Sequence, residues 1–139
     1  MIEYFLQIEV ILFPYTAMSK VAPKDSLFDA VKKQDIGVFG IKPFASNSLF
    51  KGSSSPDDPN AKEDNRRARL AIRYILCNPA ITAPIPGLIS PAQVDNMAGA
   101  VKERRQLDVA EAAELEQAVD EMWANLPANY RWLKNWEYV

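Results

Sequence analysis

Three short apolar runs, separated by segments of helical pattern, constrain the fold of this chain most. The runs are residues 10–13, 36–41 and 81–85. Continuous apolar runs of this length are typical of strands that are buried on both faces of a parallel sheet. Because a helical segment lies between consecutive runs, we expect parallel βαβ units and an α/β fold. Open doubly wound sheets and barrels share this rhythm, and periodicity does not choose between them.

The helical segments carry start and stop signals. We expect a first helix opened by Asp25 or Ser26, and a second over residues 65–77 that ends before Pro79. In the next helix, Ser90, Pro91 and Gln93 predict an N-cap, a first helical residue and a capping box.

A last helix starts in the same way, with Asp108 as N-cap and Glu111 three residues later. Apolar spacing predicts the buried stripes of the last two helices. In the helix after Ser90 they are Val94, Met97, Ala98 and Val101, and in the last helix Ala112, Leu115, Val119, Met122 and Trp123.

Two segments fall outside this pattern. Residues 46–64 are rich in Ser, Pro, Asp and Asn, which predicts a mobile loop that is either a functional lid or a surface insertion. Residues 125–139 form a C-terminal tail. Four arginines precede or enter the second helix, and a solvated face is favoured over an anion site for them: Arg66, Arg67, Arg69 and Arg73.

Composition excludes several classes of site. The sequence has no histidine, which removes Ser-His-Asp and Cys-His triads and imidazole catalysis. Cys77 is the only cysteine, so an internal disulfide or a multi-thiolate metal site is excluded, and we predict no metal. A net charge of −2 gives no reason to expect nucleic acid or an anionic membrane as partner. With no basic leader and no long apolar run, we expect a soluble, cytoplasmic protein.

Ligands of parallel α/β folds gather at the carboxyl ends of the strands. Gly87 permits close backbone approach there, and the helix that begins at Pro91 presents free N–H groups that suit a phosphate. Lys42 could pair with a phosphate or a substrate carboxylate, or form an ordinary ion pair. There is no acidic dyad and no GxGxxG motif, and the acids of the last helices, Glu103, Glu111 and Glu114, are assigned to solvated faces.

Four blocks of the sequence carry a family resemblance. GVFGIKPF at 37–44, ARLAIRYILCNP at 68–79, PIPG at 84–87 and SPAQV at 90–94 resemble consecutive blocks of the aldo-keto reductase family. The resemblance runs from about residue 9 to about residue 123, with VILFPY at 10–15 as strand six. It implies a (β/α)8 TIM barrel that transfers hydride between NADP or NAD and an aldehyde or ketone.

On this resemblance the chain is one partial-barrel domain, residues 1–139, with strands six to eight, their helices and an extra C-terminal helix. A complete barrel needs about 250 residues, so the chain is expected to be a truncated product or a fragment. The resemblance places pyrophosphate contacts at Lys42, Pro43, Phe44 and Ser46. It places contacts with the adenosine ribose, its phosphate and the adenine at Pro86, Gly87, Leu88, Ile89, Gln93 and Asn96. Many NADP-binding relatives have a basic residue where this chain has Gly87 or Gln93, so the choice between NAD and NADP stays open.

The resemblance implies no catalytic residue in this chain. The family's Asp, Tyr, Lys and His tetrad belongs to earlier strands, and neither Tyr15 nor Lys42 occupies those positions. We therefore expect an aldo-keto reductase-like oxidoreductase fragment, inactive as this chain alone, whose partners are a nicotinamide cofactor and either a second copy or the missing barrel portion. The alternative is a non-catalytic interaction module that pairs its exposed strand edges with a partner chain. An open flavodoxin-like domain is a third possibility, although no phosphate loop follows the first strand.

Overall fold

A computed structural model describes residues 8–17, 19, 27–53, 55–103, 106–134 and 136. Three strands form one parallel sheet: β1 (Val10–Pro14), β2 (Gly37–Ile41) and β3 (Ala83–Ile85). Their order in the sheet is β1-β2-β3, so each strand lies beside the next one in sequence. The predicted α/β class with parallel strands and flanking helices is confirmed.

Four α-helices accompany the sheet in the described residues: α1 (Leu27–Lys33), α2 (Ala61–Ile75), α3 (Pro91–Lys102) and α4 (Val109–Ala124). The tail contains a 3₁₀ helix, Ala128–Lys134. The predicted start of α1, at Asp25 or Ser26, lies outside the described residues.

The predicted boundary between the polar loop and α2 is wrong. The helix begins at Ala61, so residues 61–64 of the predicted loop are helical. Asn60 is the N-cap, and Glu63 follows it at the spacing of a helix-start signature that the prediction did not use, although the Asn60 side chain makes no capping bond. Glu63 and Asp64 then occupy the first turn, where negative charge interacts favourably with the helix dipole.

The hydrophobic core has two parts. The smaller lies between the sheet and its helices and includes Phe13, Val31, Val38 and Ile75. The larger joins the loop after β2 to α2, α3 and α4 through buried residues that include Phe44, Ala68, Leu70, Met97, Leu115 and Met122. The strand ends and the beginning of α3 are therefore held by the helical core.

One face of the sheet is uncovered in the described structure. Val10, Leu12 and Ile85 are 48%, 58% and 45% exposed. Phe13 and Val38 point to the opposite face and are buried, because successive side chains of a strand alternate between faces. The expectation that these strands are buried on both faces is therefore met on the face of Phe13 and Val38 and is wrong on the face of Val10 and Leu12.

The predicted buried stripe of α3 is largely wrong. Met97 is buried, but Val94 and Val101 are 52% and 58% exposed, and Ala98 is exposed as well. The helix turns Met97 and Ala100 toward the core instead. At Gly99 the side chain of Arg69 passes so close that a Cβ atom would collide with its guanidinium, which shows how α2 selects the face that α3 buries.

The stripe of α4 was predicted better. Leu115, Val119 and Met122 are buried as expected, and the capping box between Asp108 and Glu111 is present. Ala112 is exposed, contrary to the prediction, and Trp123 is only partly buried. Ala118, which the prediction left out, is buried.

The prediction of a solvated face for the charged groups of α2 and α4 is wrong at three positions. Arg67 and Arg73 are 5% and 2% exposed, and Glu111 is also buried. Acids of α4 cover the two arginines: Glu121 contacts Arg67, and Glu111 contacts Arg73. Sequence spacing does not reveal such partners, because they lie about forty or more residues away along the chain.

Candidate functional site

A cleft opens near the carboxyl ends of β2 and β3, between the loop after β2, the start of α2 and the loop that leads into α3. Phe44, Asn47, Leu88, Gln93 and Asn96 are among the residues that line it. Its cavity volume is about 80 Å³, well below the roughly 300–1,000 Å³ of pockets that enclose a whole drug-sized ligand. The cleft can therefore enclose only a small part of a larger ligand.

The loop after β2 holds its side of the cleft in an uncommon backbone conformation. Lys42, Ala45, Ser46 and Asn47 have φ values of 56°, 46°, 57° and 68°, in the left-handed region. A non-glycine residue there costs on the order of 1–2 kcal/mol, less for asparagine. Burial of Ala45 and hydrogen bonds within the loop offset this cost, among them Ala45 N–H to the Lys42 carbonyl at 3.0 Å. The loop is thereby fixed before any ligand arrives.

Two aromatic rings give the cleft its apolar wall. The ring centroids of Phe44 and Phe50 are 5.0 Å apart at an interplanar angle of 52°. Met97 and Ala68 continue this wall from α3 and α2. Such a surface favours the face of a planar group.

The first turn of α3 supplies the opposite, polar wall. Ser90 is the N-cap, as predicted, and its Oγ accepts a hydrogen bond from Gln93 N–H at 3.3 Å. The Gln93 Oε1 atom accepts from Ile89 N–H at 2.8 Å, not from Ser90 N–H as a capping box requires. One turn on, Asn96 Nδ2 donates to the Asn65 carbonyl at 3.0 Å. These bonds orient two side-chain amides along the cleft.

Carboxylates fix the rim formed by residues 51–60. Asp64 is buried and accepts from Lys51 N–H and Gly52 N–H at 2.8 and 2.9 Å. Asp58 accepts from Ser53 N–H at 2.8 Å and from Asn60 N–H at 2.8 Å. The bond from Ser53 N–H contributes most to lowering the pKa of Asp58 from 3.8 to about 2. Hydrogen bonds therefore connect parts of the rim to one another through Asp58 and connect the rim to α2 through Asp64.

The structure brings together half of the predicted cofactor residues. Phe44, Gly87, Leu88, Gln93 and Asn96 line the cleft.

The remaining predicted residues, Lys42, Pro43, Ser46, Pro86 and Ile89, are not among the lining residues. Pro43 is fully buried, whereas Ile89 is 74% exposed. The Nζ atom of Lys42 lies 4.9 Å from the centroid of the Tyr130 ring, so the C-terminal tail contacts this cation.

Sequence reasoning did not assign the other lining residues of the cleft to a ligand, among them Asn47, Phe50 and Asn65. Phe50 could have been predicted to contribute, because it is a large apolar residue in an otherwise polar loop. Asn65 was predicted to be the first residue of α2, but the helix begins four residues earlier, at Ala61. The prediction therefore did not place Asn65 within the helix, beside Asn96.

Among the described lining residues, Asp64 is the only charged one, and both its oxygens accept backbone hydrogen bonds. In the same part of the chain, no group of three or more acidic or cysteine side chains is placed to hold a metal ion. None of the helices described has the length and apolarity of a membrane-spanning segment. The arrangement is one for binding a largely uncharged, partly planar group.

This chain matches no family model, no curated protein and no solved structure.

Proposed function

We propose that this chain is part of a (β/α)8 barrel and binds the adenosine end of a nicotinamide dinucleotide in the cleft. In this proposal it is the cofactor-binding portion of an NAD(P)-dependent oxidoreductase that resembles the aldo-keto reductases. The main support for the proposal is that several residues assigned to the cofactor lie together in one cleft. Phe44 comes from one segment of sequence and Leu88 and Gln93 from another; all three were assigned to the cofactor on resemblance alone, and they line the same cleft.

The position of the cleft supports the proposal. It lies past the carboxyl ends of β2 and β3, the side of a parallel α/β sheet on which ligands bind. The wall formed by Phe44 and Phe50 suits a purine face, and the amides of Gln93 and Asn96 suit its polar edge or the ribose hydroxyls.

The barrel part of the proposal is supported by what the described structure leaves uncovered. Parallel sheets are covered on both faces in almost all proteins, yet here one face exposes Val10, Leu12 and Ile85. Within the described residues, β3 pairs only with β2, and the neighbouring helix α3 exposes Val94 and Val101. A further βα unit beside β3 would pair with the free edge of β3 and would also bury the exposed valines of α3.

Calorimetry with the full chain tests nucleotide binding, with NAD, ADP and 5′-AMP as titrants. We expect saturable binding of all three, because the adenosine moiety is common to them. Ala92→Trp places a large ring in the mouth of the cleft from an exposed position and should weaken binding at least tenfold. Ala98→Trp, also exposed on α3 but outside the cleft, is the matched control and should bind as the unchanged chain does. Absence of binding at millimolar nucleotide, or equal effects of the two variants, would contradict the proposal.

Carbonyl reduction by this chain alone is not expected. Histidine is absent from the sequence, and the tetrad of the resembled family has no counterpart here. Loss of general acid catalysis alone removes about 10²–10⁴-fold in rate. Consumption of NADH or NADPH with aldehyde substrates should therefore stay at the rate without protein, and saturable turnover would contradict the assignment of this chain as non-catalytic.

A second candidate function is a non-catalytic interaction module, and the uncovered apolar sheet face favours it. Such a module would capture a partner through β1, β3 and the side chains of Leu12 and Ile85. It predicts association without nucleotide binding, so the calorimetric experiment separates the two candidates.

A further inference from the structure

Arg67 is a buried arginine of α2 that connects the loop after β2 to two helices. Its Nη1 atom donates to the Leu49 carbonyl at 3.0 Å. Its Nη2 atom donates to Glu63 Oε1 on α2 at 3.0 Å and to Glu121 Oε2 on α4 at 2.6 Å. One guanidinium therefore holds a backbone group of the loop and a carboxylate of α4 at the same time.

The Leu49 carbonyl is the point at which Arg67 acts on the aromatic wall of the cleft. Leu49 is fully buried, so its carbonyl depends on a protein donor and not on water. The Leu49 N–H donates to the Phe44 carbonyl at 3.4 Å, and Phe50 is the next residue along the chain. Leu49 thus lies between the two rings of the wall, and the bond from Arg67 fixes it from outside the loop.

The backbone conformation of this loop makes such an external bond important. Lys42, Ala45, Ser46 and Asn47 all adopt left-handed conformations. Conformations of this kind persist only where the surrounding structure determines them. If the bond from Arg67 is lost, residues 44–50 can relax toward ordinary backbone angles, and the rings of the wall then move.

We propose that Arg67 is a positioning residue of the cleft, which holds the aromatic wall in place and, through Glu121, makes the affinity for the ligand depend on α4. This inference rests on the proposed function and names the residues that control the same site. Neither Arg67 nor Glu121, both within the described structure, is among the residues that line the cleft. They act through the loop and not by touching the ligand.

The geometry requires an arginine at this position. A guanidinium is a planar fork whose donors point in several fixed directions, whereas the ammonium of lysine is a compact point charge. Arg67→Lys keeps the positive charge beside Glu63 and Glu121. We expect it to lose the bond to the Leu49 carbonyl, because the carboxylates attract the ammonium more strongly than a neutral carbonyl does.

Arg73→Lys is the matched control. Arg73 is as deeply buried on the same helix, and it also donates to a carboxylate of α4 and to a backbone carbonyl. That carbonyl belongs to Gln106, between α3 and α4, and not to the loop that carries the aromatic wall. The two variants therefore make the same chemical change, but only one of them reaches the cleft.

The experiment measures two properties of the full chain at a temperature at which circular dichroism shows every variant to be folded. Calorimetry gives the affinity for 5′-AMP, and amide hydrogen exchange without nucleotide gives the protection of residues 44–50. We expect Arg67→Lys to weaken 5′-AMP binding about tenfold, the effect of one lost hydrogen bond, and to speed exchange in this segment. Arg73→Lys should leave both properties as in the unchanged chain.

A second pair of variants tests the part played by α4. Glu121→Ala removes the carboxylate that orients Arg67 and should shift both properties in the same direction, by a smaller factor. Glu114→Ala removes another acid of α4, which pairs with Arg66 at the surface, and should shift neither. If Arg67→Lys does not fold, this pair provides the same comparison.

The outcomes separate the inference from the proposed function. Unchanged affinity and unchanged exchange in Arg67→Lys overturn the inference and leave the proposed function in place. Losses in Arg73→Lys as large as in Arg67→Lys overturn it too, because general loosening of the core would then be the cause. If the unchanged chain binds no 5′-AMP, the proposed function is overturned, and the exchange of residues 44–50 alone decides whether Arg67 positions the wall.

Discussion

The guanidinium of Arg73 is almost completely buried, and hydrogen bonds to protein groups replace those it would make to water. Its Nη1 and Nη2 atoms donate to the two oxygens of Glu111 at 2.9 and 2.8 Å, and Nη2 also donates to the Gln106 carbonyl at 2.9 Å. Glu111 in turn accepts from Asp108 N–H at 3.0 Å and so closes the cap of α4. One carboxylate therefore links a buried charge on α2 to the start of another helix.

Replacing Arg73 by methionine should lower the free energy of unfolding by about 3–5 kcal/mol, because the Glu111 carboxylate is left buried without its cation. Urea denaturation measures this. Combining Arg73→Met with Glu111→Gln should recover part of the loss, since the glutamine is neutral and keeps an oxygen for the Asp108 N–H bond.

Arg66→Met is the matched control for that prediction. Arg66 lies on the same helix and binds Glu114, with both side chains close to half exposed, and it reaches Glu111 only at 3.9 Å. Exposed pairs contribute about 0–1 kcal/mol, and so this variant should unfold near the midpoint of the unchanged chain. Equal losses in Arg66→Met and Arg73→Met would mean that burial of the pair does not set its importance.

At the scale of elements, the segment between β2 and α2 combines an anchored backbone with an exposed tip. Asp64 and Asp58 hold the backbone of residues 51–53 and 60. Among the described residues between these anchors, Ser55, Pro56 and Asp57 are exposed. The tip is therefore an exposed stretch between two anchored stretches of backbone.

Limited proteolysis with a nonspecific protease should cut first within residues 53–57 and leave α2 and α3 intact. Asp64→Ala leaves two backbone N–H groups without their acceptor, and cleavage should become several times faster. Asp57→Ala removes an exposed carboxylate from the tip, while the anchoring carboxylates Asp58 and Asp64 stay in place, and it should change the rate little. Initial cleavage inside Ala61–Ile75 would contradict this account of the loop.

Sequence patterns predicted the helices and strands well where interactions between neighbouring residues determine the structure. The caps at Ser90 and Asp108, and the apolar runs that became β1 and β2, were read correctly because neighbouring residues determine them. The buried face of α3 was not, since Val94 and Met97 are equally apolar and only packing against Arg69 and Gly99 decides which turns inward.

The candidate site shows the same division. Resemblance placed Gln93 and Asn96 in one region, and the structure puts both in the cleft. Asn47 could not be placed, because the left-handed turn that carries it there occurs at alanine, serine and asparagine, with no glycine in the sequence to indicate it.

At the scale of the whole molecule, the uncovered sheet face governs association. Exposed apolar side chains on a sheet with unpaired edges drive self-association or partner capture. We expect the chain to be oligomeric, aggregation-prone or marginally folded at micromolar concentration. Light scattering and thermal melting measure this directly.

Charged substitutions on the uncovered sheet face test this expectation of association. Leu12→Lys combined with Ile85→Lys should shift the chain toward monomer, because two like charges on this face oppose a second copy. Val109→Lys is the control, since Val109 is 89% exposed but lies at the start of α4. A compact unaltered monomer that melts cooperatively above about 50 °C would mean that the chain closes its own core, and the partial-barrel proposal would be abandoned.

The division of the core into two parts has a consequence for engineering. Phe44, Ala68 and Met97 belong to the helical part, whereas Leu12 and Ile85 lie on the sheet face that this part does not touch. Residues on that face can therefore be redesigned, for instance to accept a chosen set of complementary strands, while the cleft keeps its walls. Under the proposed function, reassembly of a split barrel and recognition of the ligand would be encoded by separate sets of residues.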